Sequence, residues 1–190
     1  MTTLVAVQGH GWVVFGVDSR VVEDRGRIFT LPGNQPKLVR RGPYIMSAAG
    51  DLRAINILEH VFEPPDPGDR TGRKLDRFIA TMFLPELKEC LEQNGYAKDN
   101  QLSSVIFVCV NGVGYELGED YSYMRDASGM YACGSGGDYA IGALHVLIED
   151  PIESRDVDDA KAAVKHALNI AAKLDNGTAG PHSVVVQYPR

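Results

Sequence analysis

The chain opens with Thr2-Thr3-Leu4-Val5-Ala6-Val7, and a second apolar run at residues 12–17 follows the connection Gln8-Gly9-His10-Gly11. β-Branched and apolar residues favour strands, and two glycines between such runs favour a hairpin. The polar residues Asp18-Ser19-Arg20 then end the second run. The sequence therefore predicts an N-terminal β-hairpin with a pair of threonines at its start.

The next part of the chain predicts more strands and two helices. Residues 37–40 and 44–49 are strand candidates, and together with the hairpin they predict a first sheet of about four strands. Apolar residues then recur at three- and four-residue steps, which predicts a helix at residues 51–62 and another at residues 75–94. Pro85 should bend or split the second helix.

Asn111-Gly112 between two apolar runs is the clearest hairpin signal in the chain and predicts the start of a second sheet. Ser154 is a reasonable N-cap for a long amphipathic helix that follows it. The remaining predicted elements are strands at residues 121–125 and 130–133, a glycine turn at 134–137, a helix after that turn and a final strand at 183–188.

The predicted order is strands, two helices, strands, two helices and a strand. Strands that are apolar almost throughout need cover on both faces. This requirement predicts an α+β fold, a four-layer αββα sandwich with two facing sheets and helices outside each. The chain has 190 residues, of which 44% are hydrophobic, and this length and composition predict a single domain over residues 1–190.

Charge and cysteine content restrict the possible partners and the compartment. A formal net charge of −6 argues against nucleic acid and anionic membrane as partners. Cys90, Cys109 and Cys133 lack metal-ligand or redox spacing, so we expect buried thiols, no metal and no cofactor. The absence of a secretion signal and of an apolar run of eighteen residues predicts a cytoplasmic protein without a membrane span.

Thr2 offers catalytic chemistry if Met1 is removed. An N-terminal threonine combines a hydroxyl nucleophile with an α-amine base, and α-amines have a reference pKa of about 7.7–8.0. A threonine next to Met1 is weak evidence alone, because the ordinary interpretation of this stretch is simply a strand. We expect ordinary methionine removal rather than self-cleavage of a propeptide, and we expect protein that retains Met1 to be nearly inert.

Five motifs together resemble the proteasome β-subunit superfamily, and most closely the bacterial HslV-type peptidase subunit of an ATP-dependent protease. They are, in order, the opening stretch from Thr2 to Val7, Gly16-Val17-Asp18-Ser19-Arg20, Lys37-Leu38-Val39-Arg40-Arg41, Gly134-Ser135-Gly136-Gly137 and Asp175-Asn176-Gly177-Thr178. The resemblance spans essentially the whole chain. It implies an N-terminal nucleophile hydrolase that cleaves peptide bonds through an acyl-ester on Thr2.

The resemblance also implies a role for each matched residue. Thr2 would supply the nucleophilic Oγ and the base, while Lys37 would be the nearby cation that Asp18 holds charged. The residues that would orient the terminal amine are Ser135, Asp175 and Thr178. Each motif has an ordinary alternative: Asp18-Ser19-Arg20 suits a turn, Lys37 suits a solvated strand edge, and the turn at Ser135 suits a phosphate-binding loop.

Two further sets of residues come from the resemblance. A backbone N–H at Ser47 would face the oxyanion, although the relatives carry glycine there. The residues that would line the pocket for the substrate side chain are Val21, Ile45 and Ala49. Small apolar walls predict acceptance of apolar side chains.

The resemblance implies assembly into two stacked rings of 12 or 14 subunits in all, with polypeptide substrates and a possible AAA+ ATPase unfoldase as partners. Two other functions stay open at this point. The chain could be a catalytically inactive ring or scaffold subunit, and it could be an N-terminal nucleophile amidohydrolase that acts on small amides.

Overall fold

The computed structural model describes residues 2–23, 25–33, 37–96 and 101–189. In these ranges the strands are β1 (Thr3–Gly9), β2 (Trp12–Val17), β3 (Arg20–Val22), β4 (Ile28–Thr30), β5 (Val39–Arg41), β6 (Tyr44–Ala49), β7 (Val105–Val110), β8 (Val113–Leu117), β9 (Tyr123–Met124), β10 (Met130–Gly134) and β11 (Ser183–Gln187). The α-helices are α1 (Leu52–His60), α2 (Gly72–Phe78), α3 (Leu84–Gln93), α4 (Gly137–Leu147) and α5 (Val157–Leu174). The predicted hairpins at β1–β2 and β7–β8 are confirmed.

The larger sheets of the described residues have the orders β10-β1-β2-β11 and β5-β6-β7-β8-β9. The prediction that residues 37–40 and 44–49 belong to the first sheet is wrong, because β6 pairs with β7 and β5 pairs with β6 in the second sheet. The first sheet is completed instead by β10 and β11, which come from much later in the chain. The strands β3 and β4 form a short hairpin that the sequence did not predict, and this hairpin lies between β2 and β5 in the chain.

Apolar clusters hold the sheets and helices together. One cluster lies between the two sheets, where the rings of Phe15 and Phe107 have centroids 5.2 Å apart. A second cluster joins α4 and α5 to the first sheet, and a third joins α1, α2 and α3 to the second sheet. The predicted combination of helices with two sheets is confirmed.

Helix α5 packs closely on β2. A Cβ atom at Gly16 would lie 2.5 Å from the Val164 side chain and 2.9 Å from that of Leu168, so only glycine lets the helix approach this near. At the C-terminal end of the same helix, the Ala171 side chain lies within 3.0 Å of the Cβ position of Gly136. The packing therefore brings the end of α5 and the turn after it to the end of the first sheet where β1 begins.

Pro85, where the sequence predicted a bend or a split, lies next to a change of helix type and not at a break. It lies in the first turn of α3, directly after a π-helical segment, Ile79–Phe83, that connects α3 to α2. Proline lacks an N–H and its ring clashes with the carbonyl four residues earlier, so a wider turn just before it avoids both problems. The buried face continues through the wide turn, because Ile79 and Phe83 are both fully buried.

The predicted cap of the last helix is corrected by two residues. Asp156 is the N-cap of α5, and its carboxylate accepts hydrogen bonds from the N–H groups of Asp158 at 2.7 Å and Asp159 at 3.2 Å. Ser154 lies in a preceding 3₁₀ turn, Ile152–Ser154, where its hydroxyl donates to the Pro151 carbonyl. An ionised cap is favoured at the positive end of the helix dipole, so aspartate takes this position.

Candidate active site

The β1–β2 hairpin places Thr3 beside Asp18. Its register pairs Leu4 with Val17, so Thr3 and Asp18 are the next residues outward. The Asp18 N–H donates to the Thr3 carbonyl at 3.3 Å, and the Thr3 N–H donates to Asp18 Oδ1 at 3.0 Å. Lys37, two residues before β5, reaches the same point from the second sheet.

Lys37 connects Asp18 to Thr2. Its Nζ lies 2.7 Å from Asp18 Oδ1 and 3.1 Å from Thr2 Oγ1, and it also donates to the Arg20 carbonyl. Thr2 is 4% exposed, while Asp18 and Lys37 are each 1% exposed. An ammonium group has three N–H donors, so the protonated lysine can make all of these bonds at once. The predicted trio of nucleophile, carboxylate and cation is therefore in contact.

The Asp18 carboxylate accepts hydrogen bonds from several parts of the chain. Oδ1 accepts from Lys37 and from the Thr3 N–H, and Oδ2 accepts from the N–H groups of Arg20 at 2.9 Å and Ala179 at 3.3 Å. Three of these donors are main-chain groups, in β1, at the start of β3 and in the loop before β11. The carboxylate therefore joins these segments as well as pairing with Lys37.

Burial changes the acidity of the lysine. Desolvation lowers the pKa of the Lys37 ammonium below its ordinary value, and the charge and hydrogen bond of Asp18 oppose this effect without cancelling it. A positive charge beside a hydroxyl favours the deprotonated oxygen. The ammonium at 3.1 Å from Thr2 Oγ1 is thus placed to make that oxygen a better nucleophile.

A chain of hydroxyl groups lies behind the start of β1. Thr178 Oγ1 donates to Asp175 Oδ2 at 2.6 Å, and the two oxygens Thr178 Oγ1 and Thr3 Oγ1 lie 2.5 Å apart. A hydroxyl has one proton, so Thr3 must be the donor to Thr178. The Gly136 N–H donates in turn to Thr3 Oγ1 at 3.1 Å. Each group in this series of hydrogen bonds therefore donates to the next one toward Asp175.

Asp175 gathers further donors close to Thr2. Its carboxylate accepts from the Ser135 hydroxyl at 2.7 Å and from the Gly177 N–H at 3.1 Å. Burial raises the pKa of Asp175, but hydrogen bonds from Thr178, Ser135 and Gly177 more than offset this, so the pKa lies below its ordinary value. The Ser135 N–H donates to the Thr2 carbonyl at 3.0 Å. The predicted Ser135, Asp175 and Thr178 are thus brought together next to Thr2.

A cavity of about 680 Å³ opens beside Thr2 and Lys37. Gly50 can line it only with main-chain atoms, because it has no side chain. It has φ +144°, and a Cβ atom there would lie 2.2 Å from Ser104 Oγ, so this position requires glycine. Its N–H is therefore a candidate donor to an oxyanion. The other lining residues are Val21, Val22, Glu23, Arg25, Asp51, Leu52 and Ile55.

Ser47, to which the resemblance gave the oxyanion role, lies inside the second sheet and not at the cavity. It lies within β6, opposite Phe107 of β7, and is 0% exposed. Main-chain N–H groups inside a sheet point toward the neighbouring strands, so the Ser47 N–H lies in the plane of the second sheet. Its hydroxyl donates to the Lys37 carbonyl at 2.6 Å. Ser47 therefore supports the main chain of Lys37, and Gly50 has the position at the cavity.

The three predicted pocket residues have different surroundings. Val21 lines the cavity beside Thr2. Ala49 lies close to Gly134, since a Cβ atom on that glycine would come within 3.2 Å of the Ala49 side chain and would also meet the Thr2 carbonyl. Ile45 is 4% exposed and belongs to the cluster between the sheets, so it is part of the core rather than of the cavity wall.

Two functional candidates were missed from the sequence, Thr3 and Gly50. Thr3 is 0% exposed, and its place directly before the apolar run Leu4-Val5-Ala6-Val7 was the available sequence signal. Gly50 directly follows an apolar strand, which is a position where glycine commonly provides an unusual main-chain conformation.

Among the residues that the structure describes, no group of three or more histidine, cysteine, aspartate or glutamate side chains is arranged to hold a metal ion. In the same ranges, none of the helices is both long and apolar enough to cross a membrane.

Solved structures share the fold over the full chain. Thiobacillus denitrificans BPH in complex with epoxomicin is 21% identical with a TM-score of 0.79, and the match covers 100% of both chains. Another structure of that BPH is 20% identical with a TM-score of 0.75, covering 100% of this chain and 99% of the other. Eukaryotic HslV from Trypanosoma brucei is 22% identical with a TM-score of 0.67, covering 98% and 99%.

No protein-family model matches the chain, and no curated protein matches it. The structural matches show that the chain has the fold shared by BPH and HslV. The resemblance inferred from the five sequence motifs is confirmed at the level of the fold.

Proposed function

We propose that the chain is an N-terminal threonine peptidase, the proteolytic subunit of a ring-shaped protease. One observation carries this proposal: the Lys37 ammonium contacts both Thr2 Oγ1 and the Asp18 carboxylate in a buried site beside an open cavity. Burying a charged lysine costs folding free energy unless the charge is paired and hydrogen-bonded. Here it has the partner Asp18, and it contacts the hydroxyl of Thr2, which lines the cavity together with it.

The nucleophile would be Thr2 Oγ1. Its proton passes to the α-amine of the same residue, directly or through a water, while Lys37 stabilises the developing negative charge on the oxygen. Asp18 keeps the lysine charged. The hydroxyl chain through Thr3, Thr178 and Asp175 fixes the main chain around Thr2 and hence the direction of its amine.

The oxyanion would be stabilised by the Gly50 N–H. Oγ1 of Thr2 adds to the carbonyl carbon of the substrate, and the carbonyl oxygen takes the negative charge next to Gly50. Donors of this kind are worth on the order of 3 kcal/mol. The protonated amine of Thr2 then gives its proton to the leaving amine, which leaves an ester on Oγ1, and a water hydrolyses this ester to release an acid.

The mechanism needs a free amine at Thr2. An amide nitrogen cannot act as a base at neutral pH, so any residue before Thr2 must be removed first. Met1 lies outside the described residues, and its removal stays a prediction. Intact mass and N-terminal sequencing give the fraction that starts at Thr2, and we expect activity to scale with that fraction.

The four-layer αββα sandwich is part of this proposal. Its support is that one apolar cluster separates the two sheets, while α4 and α5 cover the first sheet and α1, α2 and α3 cover the second. A single domain over residues 1–190 and a cytoplasmic location remain predictions.

The assembly would be two stacked rings of 12 or 14 subunits in all, with an AAA+ ATPase unfoldase as a possible partner and unfolded polypeptides as substrates. Structural likeness to HslV supports a ring. A monomeric mass in analytical ultracentrifugation at micromolar concentration would count against this assembly.

The substrate side chain next to the cleaved bond would be apolar. Val21 and Ile55 line the cavity, and Ala49 is small and lies near the Thr2 carbonyl. A panel of fluorogenic peptides should show cleavage after leucine or tyrosine at rates well above cleavage after aspartate. The same panel beside simple amides separates a peptidase from an amidohydrolase of small amides.

Covalent labelling tests the nucleophile. Wild-type protein that starts at Thr2 should gain the mass of an electrophilic peptide, and Thr2→Ala should gain none. Epoxomicin is a suitable ligand to include, because Thiobacillus denitrificans BPH forms a complex with it. The control is Thr71→Ala, since Thr71 is exposed and caps α2 without a side-chain hydrogen bond. Labelling of Thr2→Ala at the wild-type rate would exclude this mechanism, and a wild type that neither labels nor cleaves would favour an inactive scaffold subunit.

A further inference from the structure

Ser104 and Tyr96 lie directly behind the turn that carries the candidate oxyanion donor. Ser104 precedes β7 and is 2% exposed, and Tyr96 follows α3 and is 9% exposed. Ser104 Oγ accepts a hydrogen bond from the Asp51 N–H at 2.9 Å. The hydroxyl oxygens of Tyr96 and Ser104 lie 2.6 Å apart.

The hydrogen bond from the Asp51 N–H to Ser104 determines which main-chain N–H remains for a substrate. Gly50 and Asp51 both line the cavity, and each has one N–H. The Asp51 N–H donates to Ser104 Oγ, so it is already used within the protein. Ser104 also fills the space where a Cβ of Gly50 would lie, so the serine packs directly against this turn.

A second contact holds the same turn to the end of α3. The Arg53 side chain donates to the Asn94 carbonyl at 2.6 Å, and Asp51 caps α1 by accepting from the Arg53 N–H at 2.9 Å. The segment with Asn94 and Tyr96 therefore braces the start of α1 at two points. None of these side chains is among the residues that line the cavity with Thr2, except Asp51.

We propose that Ser104, held by Tyr96, is a positioning residue for the reaction: it binds the Asp51 N–H and so aims the Gly50 N–H at the oxyanion. This inference rests on the proposed peptidase function. Such a residue acts on a group used in the transition state, so its loss lowers kcat and leaves KM nearly unchanged.

The test compares Ser104→Ala and Tyr96→Phe with matched controls. Ser103→Ala is the control for the serine, because Ser103 is its exposed neighbour. Tyr121→Phe is the control for the tyrosine, because the buried Tyr121 hydroxyl has no hydrogen-bond partner within the described ranges. Active sites are titrated with a covalent peptide inhibitor, so that rates refer to competent sites only.

We expect Ser104→Ala to lower kcat by about 10-fold to 100-fold, less than the roughly 10²–10³-fold loss seen when an oxyanion donor is removed outright. KM should stay within about twofold. Tyr96→Phe should lower kcat by a few-fold, because Ser104 still accepts from Asp51. Affinity for a peptide boronate, whose adduct is tetrahedral, should fall by the same factor as kcat, and both controls should match the wild type.

Hydrogen–deuterium exchange distinguishes the effect of Ser104 on the turn from its effect on catalysis. The peptide that contains Asp51 should exchange faster in Ser104→Ala than in Ser103→Ala, whether or not the protein is active. Unchanged exchange, or faster exchange with unchanged kcat and boronate affinity, would overturn the proposed positioning role. A wild type that is inert and unlabelled would overturn the peptidase function and this catalytic role together, and the exchange result would then report only on the turn.

Discussion

The two polar networks beside Thr2 differ in charge and in depth. The charged network consists of Asp18 and Lys37, whose side chains are 0% and 1% exposed and lie 2.7 Å apart. The hydroxyl network consists of Thr3, Thr178, Asp175 and Ser135, and it reaches the surface at Ser135, which is exposed. The difference indicates separate roles: the first supplies the electric field at Thr2 Oγ1, and the second fixes the main chain that carries it.

Removing one member of the charged network should have the largest effect. Lys37→Met and Asp18→Asn should each lower the rate about 10³-fold, because Thr2 loses its charged neighbour or that neighbour loses the carboxylate that positions it. Their effects on stability should differ. Asp18→Asn leaves a buried ammonium without its counter-charge, which costs about 3–5 kcal/mol. Lys37→Met leaves Asp18 with three main-chain donors, so we expect about 1–3 kcal/mol.

Urea unfolding at one fixed protomer concentration measures these differences. Lys161→Met is the control, because Lys161 makes a surface ion pair with the exposed Asp158. Equal destabilisation by Lys37→Met and Asp18→Asn would mean that the main-chain donors to Asp18 contribute little.

The second-largest effect should be seen in the pH dependence of the rate, which depends on the charge of Lys37. The rate should rise as the Thr2 amine loses its proton, near the reference range of about 7.7–8.0 for α-amines. It should fall again as Lys37 loses its proton, at a pH below that of an ordinary lysine because burial lowers the Lys37 pKa. A profile of kcat/KM from pH 6 to 11 measures both limbs. A rate that stays level to the top of this range would argue against a role for the Lys37 charge.

Substitutions in the hydroxyl network should have smaller effects. Thr178→Val keeps the shape of the side chain but leaves the Thr3 hydroxyl without its acceptor, which costs about 1–3 kcal/mol. We expect the rate to fall about 10-fold, because the chain around Thr2 is less well oriented. Ser135→Ala should cost less in both measures, since Ser135 is exposed and water can replace it. The idea of a separate orienting network is contradicted if Thr178→Val lowers the rate as much as Lys37→Met.

The smallest effect should be on stability in acid. The pKa of Asp175 is lower in the folded protein than its ordinary value, so the folded state binds this proton less readily than the unfolded state. Its contribution to stability is therefore complete above the unfolded pKa and is lost as pH falls through the folded pKa. Melting temperatures from pH 6 to 3 should fall less steeply for Asp175→Asn than for wild type.

Local pairings were predictable from the sequence, and distant ones were not. The register of the β1–β2 hairpin sets Asp18 beside Thr3, and this register depends only on neighbouring residues. The sheet to which β6 belongs depends on its pairing with β7, more than fifty residues later, and no local pattern reports that choice. The same limit applies to β10 and β11, which complete the first sheet.

The proposed oxyanion donor shows a second limit. Ser47 and Gly50 are three residues apart at the end of one apolar strand, and the sequence does not tell where the strand leaves the sheet. The structure continues β6 through Ala49, so Ser47 stays within the ladder and Gly50 is the first residue beyond it. The shift from Ser154 to Asp156 at the start of α5 has a similar cause, because both residues are good caps.

Asp18 also affects how related sequences should be interpreted. Its carboxylate joins β1, β3 and the loop before β11 through main-chain N–H groups, whatever happens at Thr2. A lineage that lost its nucleophile and survived as a structural subunit would still need this aspartate to hold those segments. Retention of Asp18 would then mark an intact fold, and retention of Thr2 together with Lys37 would be the better marker of a working enzyme.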